Sequence, residues 1–428
     1  MKPDLHLSDH DQHRLDGGEG PAMQFAMKLV TNAARIMKAE RLIDVSFAHI
    51  DACFYSGRAH LDFVNYLLAH DAKLSVPSWT NTGLVSLVDP SLRKDGTIVR
   101  EARELMQAYE RLGCKPVWTC APYQLPGRPN LGDHIVGSES NAVTFYNSVI
   151  GARTNKYGDF LDVAAALTGR VPDAGLHRDE ARRAQLVFSL ENIPEFFRRE
   201  DLFFHLLGHF AGARCGSQVP VFTDLPQSTN EDNLKAISAA VAASGGVALF
   251  HAVGITPEAP DLEAACQGME PDDTIVVTPS DLIAARKSLS RAPDGVVNMV
   301  ALGTPHFSYT EFEALVPLIA GRHVAANCKL LITTSRHVRD LIAAKGWLEF
   351  LEKSGAEIVV DTCSYFSPTL RGMTGRVMTN SAKWAYYAPG MLPIEVTFGS
   401  LRECAETAIA GENWRDPALV DAMLGGGS

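Results

Sequence analysis

The feature that most constrains the fold is a regular alternation of helical segments with short, continuous apolar runs. Two such runs are 296–302, which reads Val-Val-Asn-Met-Val-Ala-Leu, and 329–333, which reads Lys-Leu-Leu-Ile-Thr. A strand buried on both faces of a parallel sheet has this continuous pattern, whereas a half-exposed strand alternates apolar and polar residues. The alternation therefore predicts an α/β fold of mostly parallel sheets flanked by helices.

The length of 428 residues predicts several packed α/β subdomains rather than a single small domain. From the spacing of the predicted strands and helices, we expect subdomains at roughly 1–160, 161–290 and 291–420. The last residues, 421–428, end in Gly-Gly-Gly-Ser and are expected to form a flexible tail.

Composition excludes several classes of protein. The formal net charge is −11 and no run of lysine or arginine occurs, so we expect no nucleic-acid partner. No stretch approaches the roughly 18 apolar residues of a membrane span, and the polar N-terminus does not resemble a signal peptide. The eight cysteines are scattered without a CxxC pair, which is typical of a reducing, cytoplasmic setting.

Polar residues cluster at the predicted carboxyl ends of strands, where parallel sheets form their sites. These residues are His49, Asp51, Thr80, Asn81, Thr82, Cys120, Thr304, His306 and Cys363. Cys120 and Cys363 are candidate metal or iron–sulfur ligands, although a free cysteine also packs well as a small apolar side chain. His49 and Asp51 lie two residues apart, so they point the same way and suit either acid–base chemistry or a structural role.

Two further segments offer hydrogen-bond donors. His306 follows Pro305, and we expect its turn to expose it for an anion or for capping the next helix. Ser381 and Lys383 offer a hydroxyl and an ammonium, which suit a carboxylate or phosphate, or simply a helix start.

The stretch 134–159 is dense in polar side chains but contains apolar residues at helical spacing. We predict that Ser138 caps a helix that ends at Gly151, after which Arg153 and Asn155 present donors from the helix end. A capped core helix with a polar exit explains the same pattern equally well.

These residues resemble the aconitase X family, specifically its large catalytic part, over nearly the whole chain. The matching motifs are 18–20 (Gly-Glu-Gly), 48–51 (Ala-His-Ile-Asp), 120–123 (Cys-Ala-Pro-Tyr), 138–142 (Ser-Glu-Ser-Asn-Ala), 147–155 (Asn-Ser-Val-Ile-Gly-Ala-Arg-Thr-Asn), 175–177 (Gly-Leu-His), 305–306 (Pro-His), 361–363 (Asp-Thr-Cys) and 379–383 (Thr-Asn-Ser-Ala-Lys). The resemblance implies an aconitase-like body and a hydro-lyase that uses an iron–sulfur cluster as a Lewis acid. Known activities of the family are dehydration of cis-3-hydroxy-L-proline in bacteria and of mevalonate 5-phosphate in archaea.

The resemblance also implies a set of site residues. In the archaeal type, three cluster cysteines fall at positions matched here by Cys120, Thr304 and Cys363. Threonine in place of the middle cysteine fits the bacterial hydroxyproline branch and a smaller cluster, which we expect to be [2Fe-2S]. The predicted catalytic residues are His49, Asp51 and Glu139, and the predicted substrate-binding residues are Asn81, Ser138, Ser148, Arg153, Asn155, His306, Ser381 and Lys383.

Family members also carry a small swivelling domain, fused or as a separate subunit, and this chain matches the large part alone. The resemblance therefore predicts a small partner subunit and a small hydroxy-acid substrate, with no nucleic acid or membrane involved. Two alternatives stay open: the large subunit of a mevalonate 5-phosphate dehydratase, and a non-catalytic or cluster-free α/β subunit.

Overall fold

The computed structural model describes residues 5–89, 96–364 and 374–419 and places them in three successive α/β units. The units contain parallel sheets of three, four and five strands, and one antiparallel pair of strands lies beside the first sheet. The predicted α/β fold of mostly parallel sheets flanked by helices is therefore confirmed. The predicted tail at 421–428 lies outside the described residues.

The first unit packs six helices against its strands. Its elements are α1 (Asp9–Leu15), α2 (Pro21–Ile36), β1 (Leu42–Asp44), β2 (Phe47–Ile50), α3 (Arg58–Ala69), β3 (Ser78–Thr80), α4 (Thr97–Leu112), β4 (Ile135–Gly137), α5 (Ser140–Phe145), α6 (Leu161–Thr168) and β5 (Arg170–Pro172). The parallel sheet has the order β3-β2-β4, and β1 pairs with β5.

The second unit is a four-stranded sheet with the order β8-β7-β6-β9. Its elements are β6 (Leu186–Ser189), α7 (Asp201–Cys215), β7 (Pro220–Thr223), α8 (Glu231–Gly245), β8 (His251–Ala252), α9 (Leu262–Ala265), β9 (Asp273–Val276) and α10 (Pro279–Leu289). Gly208 and Gly212 let α7 and α8 approach closely, because a Cβ at either position would lie under 3 Å from α8.

The third unit is a five-stranded parallel sheet with the order β12-β11-β10-β13-β14. Its elements are β10 (Met299–Phe307), α11 (Tyr309–Ile319), β11 (Lys329–Thr334), α12 (Arg336–Ala344), α13 (Trp347–Lys353), β12 (Ala356–Val360), β13 (Gly375–Thr379), α14 (Ala382–Met391), β14 (Ile394–Phe398) and α15 (Leu401–Ala410). All nine residues of β10 are buried, which agrees with its continuous apolar sequence.

The sequence predicts a strand at each of the segments 42–50, 115–119 and 246–251, and the structure differs at all three. The expected strand 42–50 is split, because 42–44 pairs with 170–172 while 47–50 joins the parallel sheet. This pairing also extends the first unit beyond the expected boundary at 160. The expected strand 115–119 leaves the sheet after a bridge between Trp79 and Lys115, since Pro116 has no N–H to donate. Of the expected strand 246–251, only His251 belongs to one, as the start of β8.

The strands of the first and third units point their carboxyl ends toward a common region. Asp51 follows β2, Asn81 follows β3 and Glu139 lies just past β4, while Cys363 and Lys383 lie beyond β12 and β13. These five residues line one cavity, although more than 200 residues separate the two groups in the chain. Among the described residues, no helix is both long and apolar enough to cross a bilayer.

Candidate active site

Two cysteine thiols meet at the base of this cavity. Cys120 Sγ and Cys363 Sγ lie 3.8 Å apart, and both side chains are buried. Cys363 Sγ also lies 3.7 Å from the hydroxyl of Thr82. With His306, the two cysteines place three possible ligand atoms within 4.8 Å of one another, so this part of the structure has the donors for a metal centre.

The Cys363 thiol is protonated at neutral pH when no metal is bound. The hydrogen bond with Cys120 and burial both hold the pKa of the Cys363 thiol well above its ordinary value. Because the thiolate is the form that binds metal, loading this pair must release a proton.

The His306 side chain is fully buried, contrary to the expectation of an exposed turn. Its Nδ1 lies 2.9 Å from the hydroxyl of Thr119, and its Nε2 lies 3.0 Å from the carbonyl oxygen of Thr362. Burial lowers the pKa of His306 to about 4, so the ring is neutral at pH 7. Both ring nitrogens are occupied by protein groups, and His306 is not among the residues that line the cavity.

An acid–ammonium pair forms one wall of the cavity. Lys383 Nζ donates to Glu139 Oε1, and both side chains are buried. The other oxygen of Glu139 accepts the backbone N–H groups of Asn141 (2.6 Å) and Ala142 (3.0 Å), which caps α5. Burial opposes ionisation of Glu139, but the Lys383 ammonium and these N–H donors hold its pKa below the ordinary value.

Asp51 also lines the cavity, and the residue is partly exposed. Its Oδ1 accepts a hydrogen bond from Asn81 Nδ2. Burial, followed by the negative charges of Glu139 and Asp159, raises the pKa of Asp51 to about 7. A carboxylate with a pKa near neutrality is suited to take up and release a proton.

Three other predicted site residues are buried near the cavity but do not line it: His49, Thr304 and Ser381. His49 is fully buried, and its Nε2 lies 3.0 Å from the carbonyl oxygen of Thr119. Burial lowers the pKa of His49 to about 4, and the ring is not among the groups that line the cavity. Ser381 caps α14 and donates to the carbonyl oxygen of Thr304, whose own hydroxyl lies 3.4 Å from Ser364 Oγ.

The stretch 134–159 divides between the cavity wall and the core. Ser138 lines the cavity and donates to the carbonyl oxygen of Tyr157 (2.6 Å), so Glu139, not Ser138, caps the helix. The chain continues as a π-helical turn, 146–150, and ends at Gly151 as expected.

Like His306 and Ser381, three more predicted substrate-binding residues do not line the cavity, and protein groups occupy their side chains. Ser148 Oγ accepts from the Phe250 N–H (2.8 Å). Arg153 pairs with Asp179 and donates to the carbonyl oxygen of His177 (3.1 Å). Asn155 donates to the carbonyl oxygen of Ala174 (2.9 Å) and accepts from the Leu176 N–H (2.9 Å).

The cavity includes residues that were not assigned to the site from the sequence. Its volume is about 250 Å³, and the additional lining residues are Phe54, Thr82, Ser140, Lys156, Tyr387 and Met391. Tyr387 and Met391 follow Lys383 at intervals of four residues on α14, so helical periodicity would have found them. Lys156 belongs to the group of donors that follows Gly151 in the sequence, and a backbone bridge with Gly137 brings it to the site.

Comparison with known proteins identifies the units of the fold. Family models match consecutively: Aconitase X first domain over residues 4–180, second domain over 184–287 and third domain over 297–410. The holo-form of Thermococcus kodakaraensis aconitase X has a similar structure, with a TM-score of 0.83 and 30% sequence identity. The match covers 94% of this chain and all of that one.

Curated relatives divide into two named activities. Cis-3-hydroxy-L-proline dehydratases from Pseudomonas aeruginosa and Hypocrea jecorina are 41% and 36% identical to this chain. These matches cover 98% and 95% of this chain, and 72% and 69% of the relatives. The phosphomevalonate dehydratase large subunit of Methanosarcina mazei is 32% identical over 95% of this chain and 98% of its own length.

Proposed function

This chain belongs to the aconitase X family of dehydratases, and we propose that it converts cis-3-hydroxy-L-proline to Δ1-pyrroline-2-carboxylate. The observation that supports the proposal most directly is the cysteine pair at the base of a cavity with Asp51 and Lys383 on its walls. The substrate is inferred from the two relatives named cis-3-hydroxy-L-proline dehydratase. Both are more similar in sequence to this chain than the M. mazei phosphomevalonate dehydratase subunit is.

The residues present fit an iron–sulfur cluster. Two sulfurs on one tetrahedral metal lie about 3.8 Å apart when each bond is about 2.3 Å, and Cys120 and Cys363 have that separation. None of the other six cysteines belongs to this group, and Thr304 occupies the position of a third. We therefore propose a [2Fe-2S] cluster held by Cys120 and Cys363, which would supply a Lewis acid for departure of the C3 hydroxyl.

The residues of the chain would bind the substrate and move its proton. Lys383 and Lys156 would hold the substrate carboxylate, and the ion pair with Glu139 would orient the Lys383 ammonium. Asp51 would take the proton from C2 as the C3–O bond breaks and would then pass that proton to the leaving hydroxide, which departs as water. The enamine product then tautomerises to Δ1-pyrroline-2-carboxylate. The net reaction is the loss of one water from the substrate.

The cations of the cavity favour a substrate with one anionic group. Among the described residues that line it, the positive side chains are Lys156 and Lys383, and no arginine is present. Lys383 is already paired with Glu139. A phosphorylated hydroxy acid carries a phosphate and a carboxylate, and phosphate recognition usually employs bidentate arginine or several cations. We therefore rank mevalonate 5-phosphate as the second candidate substrate.

We also propose that a small swivelling subunit completes the site. The M. mazei relative is named a large subunit, and this chain covers nearly all of its length.

The eight cysteines are free, which supports a reducing, cytoplasmic setting.

The test is anaerobic purification followed by iron, sulfide and visible-absorption measurements, with turnover of cis-3-hydroxy-L-proline and mevalonate 5-phosphate measured with and without the small subunit. We expect a coloured protein with about two irons that turns over the hydroxyproline when its partner is present. Cys120→Ser and Cys363→Ser should lose iron and activity, whereas Cys215→Ser, a buried cysteine on α7, should keep both.

Three results would contradict parts of the proposal. Preferential turnover of mevalonate 5-phosphate would reverse the order of the substrates. An iron-free protein that is active would exclude the cluster mechanism. A chain that stays colourless and inert after reconstitution and addition of the partner would favour the non-catalytic alternative.

A further inference from the structure

His306 lies beside the two cysteines and raises the question of a third ligand. Cys120, His306 and Cys363 place their ligand atoms within 4.8 Å of one another, and all three side chains are buried. By residue type alone, the group suits a metal bound by two thiolates and one imidazole.

The hydrogen bonds of the ring assign His306 a different role. The carbonyl oxygen of Thr362 can only accept, so His306 Nε2, at 3.0 Å, carries a proton and donates it. His306 Nδ1 lies 2.9 Å from the Thr119 hydroxyl, so the second ring nitrogen is hydrogen-bonded as well. That hydroxyl in turn accepts the N–H of Ala121 at 3.1 Å, which fixes its direction. Both ring nitrogens are thus engaged by the protein.

These partners are the immediate neighbours of the cysteines. Thr119 precedes Cys120 in the first unit, and Thr362 precedes Cys363 in the third, so one imidazole connects the two segments that present the sulfurs. The backbone N–H of His306 also donates to Cys120 Sγ at 3.4 Å. The ring therefore hydrogen-bonds the residue that precedes each cysteine and connects the two chain segments.

We propose that His306 is a positioning residue that holds the Cys120 and Cys363 segments in register for the cluster, and that it is not a ligand of the iron. The inference rests on the proposed iron–sulfur cluster. Ligation through Nδ1 would displace the Thr119 hydroxyl, and ligation through Nε2 would leave the Thr362 carbonyl oxygen without its donor. Either change would loosen a segment that carries a cysteine.

The first experiment measures how fast the reconstituted chain loses its cluster to a chelator. His306→Leu removes both ring contacts, and Thr119→Val removes only the hydroxyl. Loss of a group that orients a metal ligand typically weakens metal binding 10- to 100-fold, so we expect at least about tenfold faster loss in His306→Leu and a smaller increase in Thr119→Val. Thr119→Ser keeps the hydroxyl and should behave like the wild type.

A matched control separates this effect from the general cost of removing a buried histidine. His251 is also buried, and its Nε2 lies 2.7 Å from the carbonyl oxygen of Arg182 in the second unit. His251→Leu should lower the thermal midpoint of the iron-free chain comparably while leaving the rate of cluster loss unchanged. If His306→Leu does not fold, Thr119→Val and Thr119→Ser still provide the comparison.

The second experiment asks directly whether nitrogen binds the iron. Pulsed EPR of the reduced cluster, in protein with ¹⁴N- or ¹⁵N-labelled histidine, should show no strong coupling of the kind that a bound imidazole produces. In Thr119→Val the spectrum should remain free of that coupling.

The outcomes distinguish this inference from the proposed function. Strong histidine nitrogen coupling in the wild type, or wild-type cluster retention in His306→Leu, would overturn the positioning role and leave the cluster intact. A wild-type chain that takes up neither iron nor Co²⁺ would instead overturn the proposed cluster, and this inference with it.

Discussion

At the scale of single residues, the site places two carboxyl groups in opposite environments. Glu139 faces the Lys383 ammonium and backbone N–H donors, which hold its pKa low, whereas burial and neighbouring negative charges raise the pKa of Asp51 to about 7. Carboxyl groups whose pKa values are separated in this way commonly divide into a permanent anion and a proton carrier. This division supports Asp51 as the group that accepts the substrate proton.

Replacing Asp51 with asparagine tests that assignment. Loss of a general base typically slows a reaction by about 10²- to 10⁴-fold, so Asp51→Asn should lose activity to that extent while retaining iron. In the wild type, the carboxyl group must be ionised to accept a proton, so turnover should fall as the pH drops below about 7. The measurement is the pH dependence of kcat/KM, which reports the free enzyme.

An exposed aspartate provides the control for this substitution. Asp44 has a side chain that is 89% exposed, and Asp44→Asn should keep both the activity and the acidic limb. If kcat/KM of Asp51→Asn still falls below about pH 7 as it does in the wild type, another group accepts the substrate proton.

At the scale of elements, the turn after α5 holds the polar stretch against the second unit. Asn147 is fully buried, and its side chain makes four hydrogen bonds, to the backbone of Thr154 and Ala248 and to Arg182. Gly151 ends the π-helical turn with φ of 76°. A Cβ at this position would lie 2.4 Å from Leu131 Cδ1 and 3.0 Å from Pro257 Cγ. Gly151 therefore permits both a left-handed turn and a close approach.

Two alanine substitutions separate these contributions. Gly246 ends α8 with φ of 71°, and a Cβ there would meet nothing within 4 Å. Gly246→Ala should therefore lower the free energy of unfolding by only about 1–2 kcal/mol, the cost of a left-handed backbone. Gly151→Ala should cost at least about 1 kcal/mol more because of overpacking. Denaturant unfolding measures both values, and equal losses would show that the contacts at Gly151 relax freely.

At the scale of the whole molecule, the site exists only where two units meet. The first unit supplies Asp51, Cys120 and Glu139, and the third supplies Cys363 and Lys383. A metal centre on Cys120 and Cys363 would therefore link the two units. A metal centre that binds only the folded chain, and not the unfolded chain, stabilises the folded state by mass action.

This arrangement predicts that loading with iron and sulfide stabilises the chain. At 100 times the dissociation constant, binding contributes about 2.7 kcal/mol, so the thermal midpoint should rise by several degrees. Cys363→Ser should remove the rise while leaving the midpoint of the iron-free chain nearly unchanged. A fully loaded wild-type chain with an unchanged midpoint would contradict a cluster that bridges the units.

The sequence by itself determined the elements and the residues at their ends. Continuous apolar runs predicted parallel strands, and Asp51, Asn81, Cys120 and Cys363 were identified because they follow predicted strands. Lys383 was identified because it and Ser381 offer an ammonium and a hydroxyl in one short segment. These patterns depend on near neighbours in the chain, so they can be recognised without knowledge of the tertiary structure. The resemblance to aconitase X was likewise visible in short motifs, and the family comparisons confirmed it.

Only the tertiary structure decided which of these ends meet and which side chains stay available. Cys120 and Cys363 are 243 residues apart in the chain, and no local pattern pairs them. Arg153 and Asn155 lie in a motif that resembles the family, yet Asp179 and the backbone at Ala174 occupy them. His306 looked exposed after Pro305 but is buried between two cysteine-bearing segments. The reason is physical: a hydrogen-bond partner or a buried position is set by contacts between distant segments, and those arise only when the sheets pack together.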